Sequence, residues 1–196
     1  TLKDLTLSET NISGEGLESL PVLKLKKLNL NGCRNLTNAG LLELLGKCSA
    51  TLKDFDLSRT EISEEGLEDL PVLNLEGLSL EFCMNLTNTC LLQFIGKCSV
   101  TLTHLILSGT EFSGEGLESL PVLKLETLNL SYCQNLTKTG LLELLRKCSA
   151  TLKDLTLSET NISGEGLESL PVLKLKKLNL NGCRNLTNAG LLELLG

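Results

Sequence analysis

The chain has 196 residues, 41% of them hydrophobic, and a formal net charge of −6, which disfavours nucleic acid and anionic membranes as partners. Aromatic residues make up 3% of the chain and tryptophan is absent, so any core must be built from aliphatic side chains, mainly leucine. No apolar run approaches the roughly 20 residues that a membrane-spanning helix needs.

A unit of 50 residues recurs along the chain, and residues 1–46 and 151–196 are identical. The units are residues 1–50, 51–100, 101–150 and 151–196. A repeat of this length is typical of solenoids, in which each unit contacts only its neighbours. We therefore predict a single elongated domain over residues 1–196.

Each unit divides into two related halves, and each half begins with a predicted strand. In the first unit the pattern LxxLxL begins at Leu2 and again at Leu25. This alternation places the last two leucines on one face of a short strand. Such short strands need neighbours, so we expect them to stack in parallel.

A polar residue and a helical stretch follow each strand. Ser13 and Thr37 are well placed as helix N-caps. After Thr37, residues 38–48 carry leucines and a cysteine at helical spacing, which predicts a helix with one buried stripe. The helix of the first half is shorter, and Pro21 is expected to end it.

The LxxLxLxx(N/C)xL skeleton resembles that of leucine-rich repeats. The second half, LxxLxLxxCxxLT followed by xxGLLxLL, resembles the cysteine-containing subfamily of F-box adaptors and ribonuclease-inhibitor-like horseshoes. The resemblance covers all eight half-repeats. It implies an α/β fold, a right-handed solenoid of eight coils with a parallel sheet on the concave face and short helices on the convex face. Such a fold says little about function.

The first halves depart from the family pattern at the position where Asn or Cys is usual. Threonine occupies this position at Thr10, Thr60, Thr110 and Thr160. A threonine hydroxyl can also satisfy a buried backbone group. We therefore expect threonine and cysteine to alternate along a ladder.

The eight cysteines are predicted to be buried, reduced thiols. Equivalent cysteines, two coils apart, would lie about 9–10 Å from each other, beyond the roughly 7 Å that a disulfide allows. Unpaired thiols favour a reducing, cytoplasmic compartment. Cys90 stands where the other units have glycine, and we expect it to be the most exposed and reactive thiol. The two recurring sets are Cys33, Cys83, Cys133 and Cys183, and Cys48, Cys98 and Cys148.

The central units differ from the outer ones mainly at strand positions that point away from the core. Phe82 and Tyr132 replace glycine there, although the chain has only four phenylalanines and one tyrosine. Exposed aromatics beside polar residues are typical interface anchors, and local acidity would suit a basic partner. The candidate ligand-binding residues on the concave face are Asp54, Asp56, Arg59, Ser79, Glu81, Phe82, His104, Ile106 and Tyr132.

These features predict a non-catalytic module that binds a protein ligand, of which an immune-type recognition repeat is one form. Unconstrained drift of exposed positions would also explain the differences. One alternative is an engineered repeat scaffold without a native ligand. Another is the substrate-recognition fragment of an F-box-like ubiquitin-ligase adaptor.

The sequence contains no constellation that predicts catalysis, a metal or another cofactor. The single histidine is His104, no CxxC pair occurs, and no phosphate-binding glycine loop follows a strand. Six Asn-Leu-Thr or Asn-Ile-Ser sequons arise from the repeat itself, and their use would indicate an extracellular protein.

Both ends of the array are expected to expose apolar core, because leucine-rich arrays are usually closed by polar capping units. Leu2, Leu5 and Leu7 begin the first coil, and the last unit stops at Gly196. We predict head-to-tail self-association in which Thr1 of one chain follows Gly196 of another.

Overall fold

The computed structural model describes residues 2–165 and 173–195. Within these residues the chain forms a solenoid whose eight strands make one parallel sheet in chain order, as expected. Each strand is three residues long and pairs in register with the strands of the neighbouring coils. The strands are β1 (Asp4–Thr6), β2 (Lys27–Asn29), β3 (Asp54–Asp56), β4 (Gly77–Ser79), β5 (His104–Ile106), β6 (Thr127–Asn129), β7 (Asp154–Thr156) and β8 (Lys177–Asn179).

Helices cover the opposite side of the coils, as expected. None of the described helices has the length and apolar character needed to cross a membrane. In the first halves of units one and three, the helical segment is only a short 3₁₀ turn, Leu17–Ser19 and Leu117–Ser119. The α-helices are α1 (Asn38–Cys48), α2 (Glu64–Glu68), α3 (Asn88–Cys98), α4 (Lys138–Cys148) and α5 (Asn188–Leu195).

Thr37 is the N-cap of α1, as predicted. Its hydroxyl accepts a hydrogen bond from the Gly40 N–H at 3.0 Å, which satisfies one of the free donors of the first turn. The same bond recurs at Thr87 and Thr137. The predicted helix over residues 38–48 is therefore confirmed.

The prediction that Ser13 is a helix N-cap is wrong. Its hydroxyl accepts from the Glu15 N–H at 3.3 Å, but the 3₁₀ turn begins only at Leu17. The cause is local backbone geometry, because Gly14 and Gly16 have φ values of 107° and 78°. Left-handed residues cannot continue a right-handed helix, so the turn starts after them.

The middle residue of every strand points inward, and the residues on either side of it face solvent. In the central coils Phe55, Leu78 and Leu105 are at most 3% exposed and pair side by side across the sheet. Burying such a side chain stabilises the fold by about 1.5–3 kcal/mol. The core is therefore one continuous apolar column between sheet and helices, mainly of leucine but with Phe55, Phe94 and Phe112 buried in it.

The expected ladder of alternating threonine and cysteine is confirmed. The Thr60 hydroxyl and the Cys83 thiol both donate to the Leu57 carbonyl, at 2.8 Å and 3.1 Å. The same pair of donors meets the carbonyls of Leu7, Leu107 and Leu157 in the other units. Each ladder step thus satisfies a strand-end carbonyl, which in the units after the first is buried away from water.

All eight cysteines are unpaired and buried, and the predicted exposure of Cys90 is wrong. Cys90 lies in the first turn of α3 and is 4% exposed. Burial raises its pKa to about 11, and the nearby Glu64 and Glu68 add to that rise. A thiol that stays protonated and covered is a poor nucleophile.

Candidate functional site

Five of the nine predicted site residues lie around one depression of the sheet. Strand β4 carries the small residues Gly77 and Ser79, with larger side chains on both neighbouring strands. The depression, which we name the central trough, has a volume of about 440 Å³. Around β4, two rows of neighbouring residues run across the sheet. One row is Asp54, Gly77 and His104, and the next is Asp56, Ser79 and Ile106.

Carboxylates form one wall of the central trough. The Oδ2 atom of Asp54 lies 3.4 Å from the Lys27 ammonium. The Oδ1 atom of Asp56 accepts a hydrogen bond from the Ser58 N–H at 2.9 Å, and Asp56 makes no ion pair with any residue that the structure describes. The trough therefore combines a paired and an unpaired carboxylate.

Isoleucine and histidine form the opposite wall. Ile106 stands beside Ser79, and the Ser79 hydroxyl lies 2.8 Å from that of Ser58. The His104 Nδ1 atom is 2.8 Å from the Thr103 hydroxyl. The wall on β5 thus carries an apolar side chain next to a hydrogen-bonded imidazole.

The other four predicted residues form a second group in the turns that follow the strands. The rings of Phe82 and Tyr132 have centroids 6.2 Å apart and are tilted by 39°. The Arg59 guanidinium lies 5.6 Å from the Phe82 centroid and 3.3 Å from a Glu81 carboxylate oxygen. We name Arg59, Phe82 and Tyr132, with the neighbouring Met84, the aromatic rim.

The rim aromatics occupy a backbone position that disfavours them. Phe82 and Tyr132 have φ values of 53° and 59°, and a side chain in the left-handed region costs about 1–2 kcal/mol. Tyr132 is also 49% exposed, so burial does not offset this cost. The residue at this turn position has a left-handed backbone conformation in every described coil. These residues are Glu9, Gly32, Arg59, Phe82, Gly109, Tyr132, Glu159 and Gly182.

Gly109 makes the contact between the two rings possible. A Cβ atom at this residue would lie 2.3 Å from the Phe82 ring, so the ring crosses the fifth coil only because no side chain is there. Sequence reasoning left out Gly109 and Gly77, since it selected residues by the side chains they carry. At equivalent positions of the repeat, Glu9 of the first unit becomes Gly109 in the third, and Lys27 becomes Gly77 in the second. These differences between units could have drawn attention to both glycines.

Sequence reasoning also left out two residues beside the rim. Met84 is 59% exposed, and Arg34 lines a cavity of about 470 Å³ with Arg59, Phe82 and Met84. Both stand at a position that differs between units, which was the available signal. Within the described residues, no three His, Cys, Asp or Glu side chains are placed to hold a metal ion.

Comparison with known proteins agrees with this architecture. The family model described as "Leucine Rich repeat" matches residues 1–20, 23–45, 48–70, 98–120, 123–145, 148–170 and 173–195. A search of curated protein sequences finds no match.

Two solved structures share the fold at low sequence identity. A chain of the Rad7 and Elc1 complex in yeast is 19% identical, with a TM-score of 0.65 over 98% of this chain and 60% of that one. The leucine-rich repeat-containing protein LegL7 from Legionella pneumophila is 20% identical, with a TM-score of 0.55 over 93% of this chain and 66% of that one. The chain therefore spans about three fifths to two thirds of these structures.

Proposed function

Because the chain belongs to the leucine-rich repeat family, we propose that it is a non-catalytic module that binds a protein partner on the concave face of its sheet. The observation that carries the proposal is the aromatic rim. Phe82 and Tyr132 are both held in left-handed backbone; Tyr132 is about half exposed, and Phe82 is partly exposed and packs against it. Strain at exposed positions is typical of functional sites, and exposed aromatics commonly anchor protein interfaces.

The central trough gives this surface its charge preference. Asp54, Asp56 and Glu81 all stand on or beside the sheet face, while the whole chain carries a net charge of −6. Two of these carboxylates have a cationic neighbour, and Asp56 has none among the described residues. A basic surface on the partner would complement this arrangement.

The test compares two double variants in binding to a partner isolated with the wild-type chain. Phe82→Gly/Tyr132→Gly should weaken binding about 10-fold or more, since it removes both anchors. The matched control is Glu9→Gly/Glu159→Gly, which makes the same backbone change at the same turn position in the outer coils. Glycine is unstrained there, so both variants should stay folded. Equal affinity of both variants and wild type would contradict the proposal.

An adaptor function is a more specific form of this proposal. The support is the fold similarity to a chain crystallised in the Rad7 and Elc1 complex. In that role the chain would recognise the substrate of a ubiquitin ligase. Quantitative mass spectrometry on the full-length protein should then recover ligase subunits equally with wild type and the rim variant, and a substrate with wild type alone. A scaffold without a native ligand would give no difference in either set.

We further propose that the protein works in a reducing compartment such as the cytoplasm. Eight buried cysteines without a disulfide support this, because oxidising compartments favour pairing. Mass spectrometry of the protein from its native cells, alkylated after denaturation without reductant, should show all thiols free. Occupied glycosylation sequons would contradict the proposal.

A further inference from the structure

We propose that the central trough receives one lysine or arginine side chain of the protein partner, an inference that rests on the binding function proposed above. The partner is then a protein with an exposed basic residue that reaches β4. The argument uses the shape of the trough, its charge and its apolar wall.

The central trough extends over strands β1 to β5, and the proposed binding position lies above β4. Adjacent strands are about 4.8 Å apart, so the side chains of β3 and β5 flank a gap of two strand spacings above β4. Gly77 puts no side chain into this gap, and only the Asp54 carboxylate reaches over it. The corresponding position in the other described strands holds Asp4, Lys27, Asp54, His104, Thr127, Asp154 and Lys177.

The Asp54 carboxylate of β3 points toward the gap, and Asp56 stands next to Ser79 in the following row. A Cβ atom built on Gly77 would lie 2.6 Å from Oδ1 of Asp54, so this carboxylate leans over the glycine. Asp54 already pairs with Lys27, whereas Asp56 makes no ion pair in the described part of the chain. An entering ammonium or guanidinium group can therefore donate charge-assisted hydrogen bonds to Asp56 and share Asp54 with Lys27.

Ile106 supplies an apolar surface on which the methylene groups of a basic side chain can pack. Lysine and arginine pack their methylene groups on apolar surface while the charged group reaches a polar partner. In the trough the apolar Ile106 and the carboxylate of Asp56 stand on opposite sides of Ser79. An acidic side chain would instead meet two carboxylates, and a short side chain would not span the trough.

The test titrates the isotope-labelled chain with short acetylated peptides and follows its amide resonances by NMR. The peptides share a Gly-Ser-Gly frame on both sides of a central lysine, norleucine or glutamate. We expect the lysine peptide to shift the amides of Gly77, Ser79 and Ile106 in a saturable way. Norleucine should bind up to about 5-fold more weakly, as expected when one ion pair is lost. Equal shifts from all three peptides would overturn the inference.

Three variants assign the effect to the trough. Asp56→Asn should weaken binding of the lysine peptide about 5-fold, and Gly77→Thr should abolish it by filling the gap with the residue that β6 carries at Thr127. Asp154→Asn is the matched control, since it removes the same charge from β7, away from the trough. An equal loss in both asparagine variants would mean that net charge, and not the trough, attracts the peptide.

The outcomes separate this inference from the proposed function. If the partner protein is lost with Phe82→Gly/Tyr132→Gly but keeps its affinity for Asp56→Asn and Gly77→Thr, the trough inference fails alone. If the partner keeps its affinity for all of these variants, the proposed function fails as well. Loss of partner binding with both the rim variants and the trough variants supports both the proposed function and the trough inference.

Discussion

At the scale of single residues, one turn position in each coil controls what the rim presents. The backbone there is left-handed whether the residue is glycine, glutamate, arginine or an aromatic. The hydrogen bonds of the turn impose this geometry, since the Phe82 N–H donates to the Ser108 carbonyl and the Tyr132 N–H to that of Ser158, each within 2.9 Å. Glycine is unstrained there, whereas every other residue incurs a similar backbone cost, so the side chain that is presented can vary from coil to coil without changing the turn.

The buried thiols predict a loss of stability at alkaline pH. Burial raises the pKa of Cys98 and Cys148 to about 12, whereas a thiol in the unfolded chain ionises near pH 8.5. The unfolded state alone then releases thiol protons as the pH rises, so stability is full below about pH 8.5 and declines toward pH 12. Urea unfolding at pH 8, 9 and 10 should show this decline. Cys98→Ala/Cys148→Ala should decline less steeply, and equal slopes would contradict the prediction.

Cys90 shows where single-residue reasoning from sequence fails. Its mismatch with Gly40 suggested a side chain without a place in the core. The structure instead accommodates it, because Glu64 replaces Gly14, the residue that packs against Gly40 in the first unit. The two substitutions are 26 positions apart in sequence but meet between adjacent coils, so only the fold reveals that they compensate each other.

At the scale of elements, this pair decides whether the first half forms a 3₁₀ turn or an α-helix. In the third unit a Cβ atom on Gly114 would lie 2.7 Å from the Cα of Gly140. The close backbone approach requires glycine on both sides and keeps Gly114 left-handed, at φ 78°. Where Glu64 and Cys90 replace both glycines, residues 64–68 form helix α2.

A double-mutant cycle in the third unit tests this coupling. Gly140→Cys alone should destabilise the chain by about 2 kcal/mol or more, because its Cβ would lie 2.1 Å from the Ser113 carbonyl oxygen. Gly114→Glu alone should also destabilise it, through its left-handed φ. The double variant should recover about 1–3 kcal/mol relative to the sum of the single effects. Urea unfolding measures each term, and strictly additive losses would contradict the coupling.

The sequence predicted the strands, the longer helices and the threonine–cysteine ladder because each pattern recurs in register with the 50-residue unit. It also predicted which residues of each strand point away from the core, since that follows from strand alternation alone. The sequence could not show which of these residues lie close together in the fold. The trough depends on the missing side chain of Gly77, and the contact between Phe82 and Tyr132 depends on that of Gly109.

At the scale of the whole molecule, backbone pairing joins every two neighbouring strands, and side-chain ion pairs add to it at some of these junctions. Lys27 pairs with Asp54 between β2 and β3 at 3.4 Å, and Lys177 pairs with Asp154 between β7 and β8 at 3.6 Å. Exposed ion pairs of this kind contribute about 1 kcal/mol or less each. The continuous apolar core therefore supplies most of the stability, and the ion pairs favour one order of strands.

Among the described strands, β1 and β8 each have one edge without a neighbouring strand, and Leu2 and Leu192 are 54% and 72% exposed. A second copy with its β1 beside β8 would place Asp4 opposite Lys177, repeating the junction of β2 with β3. Thr1 and Gly196, which the predicted junction brings together, lie outside the described residues.

We therefore expect this 196-residue chain to associate head to tail, with a mass that rises with concentration in light scattering. Leu2→Lys should shift the association to higher concentration, because it places a charge in the apolar contact. The control is Val122→Lys, which changes a side chain that is 72% exposed but lies far from both edges. Equal effects of the two variants would indicate unspecific aggregation, and a monomer at every accessible concentration would contradict the prediction.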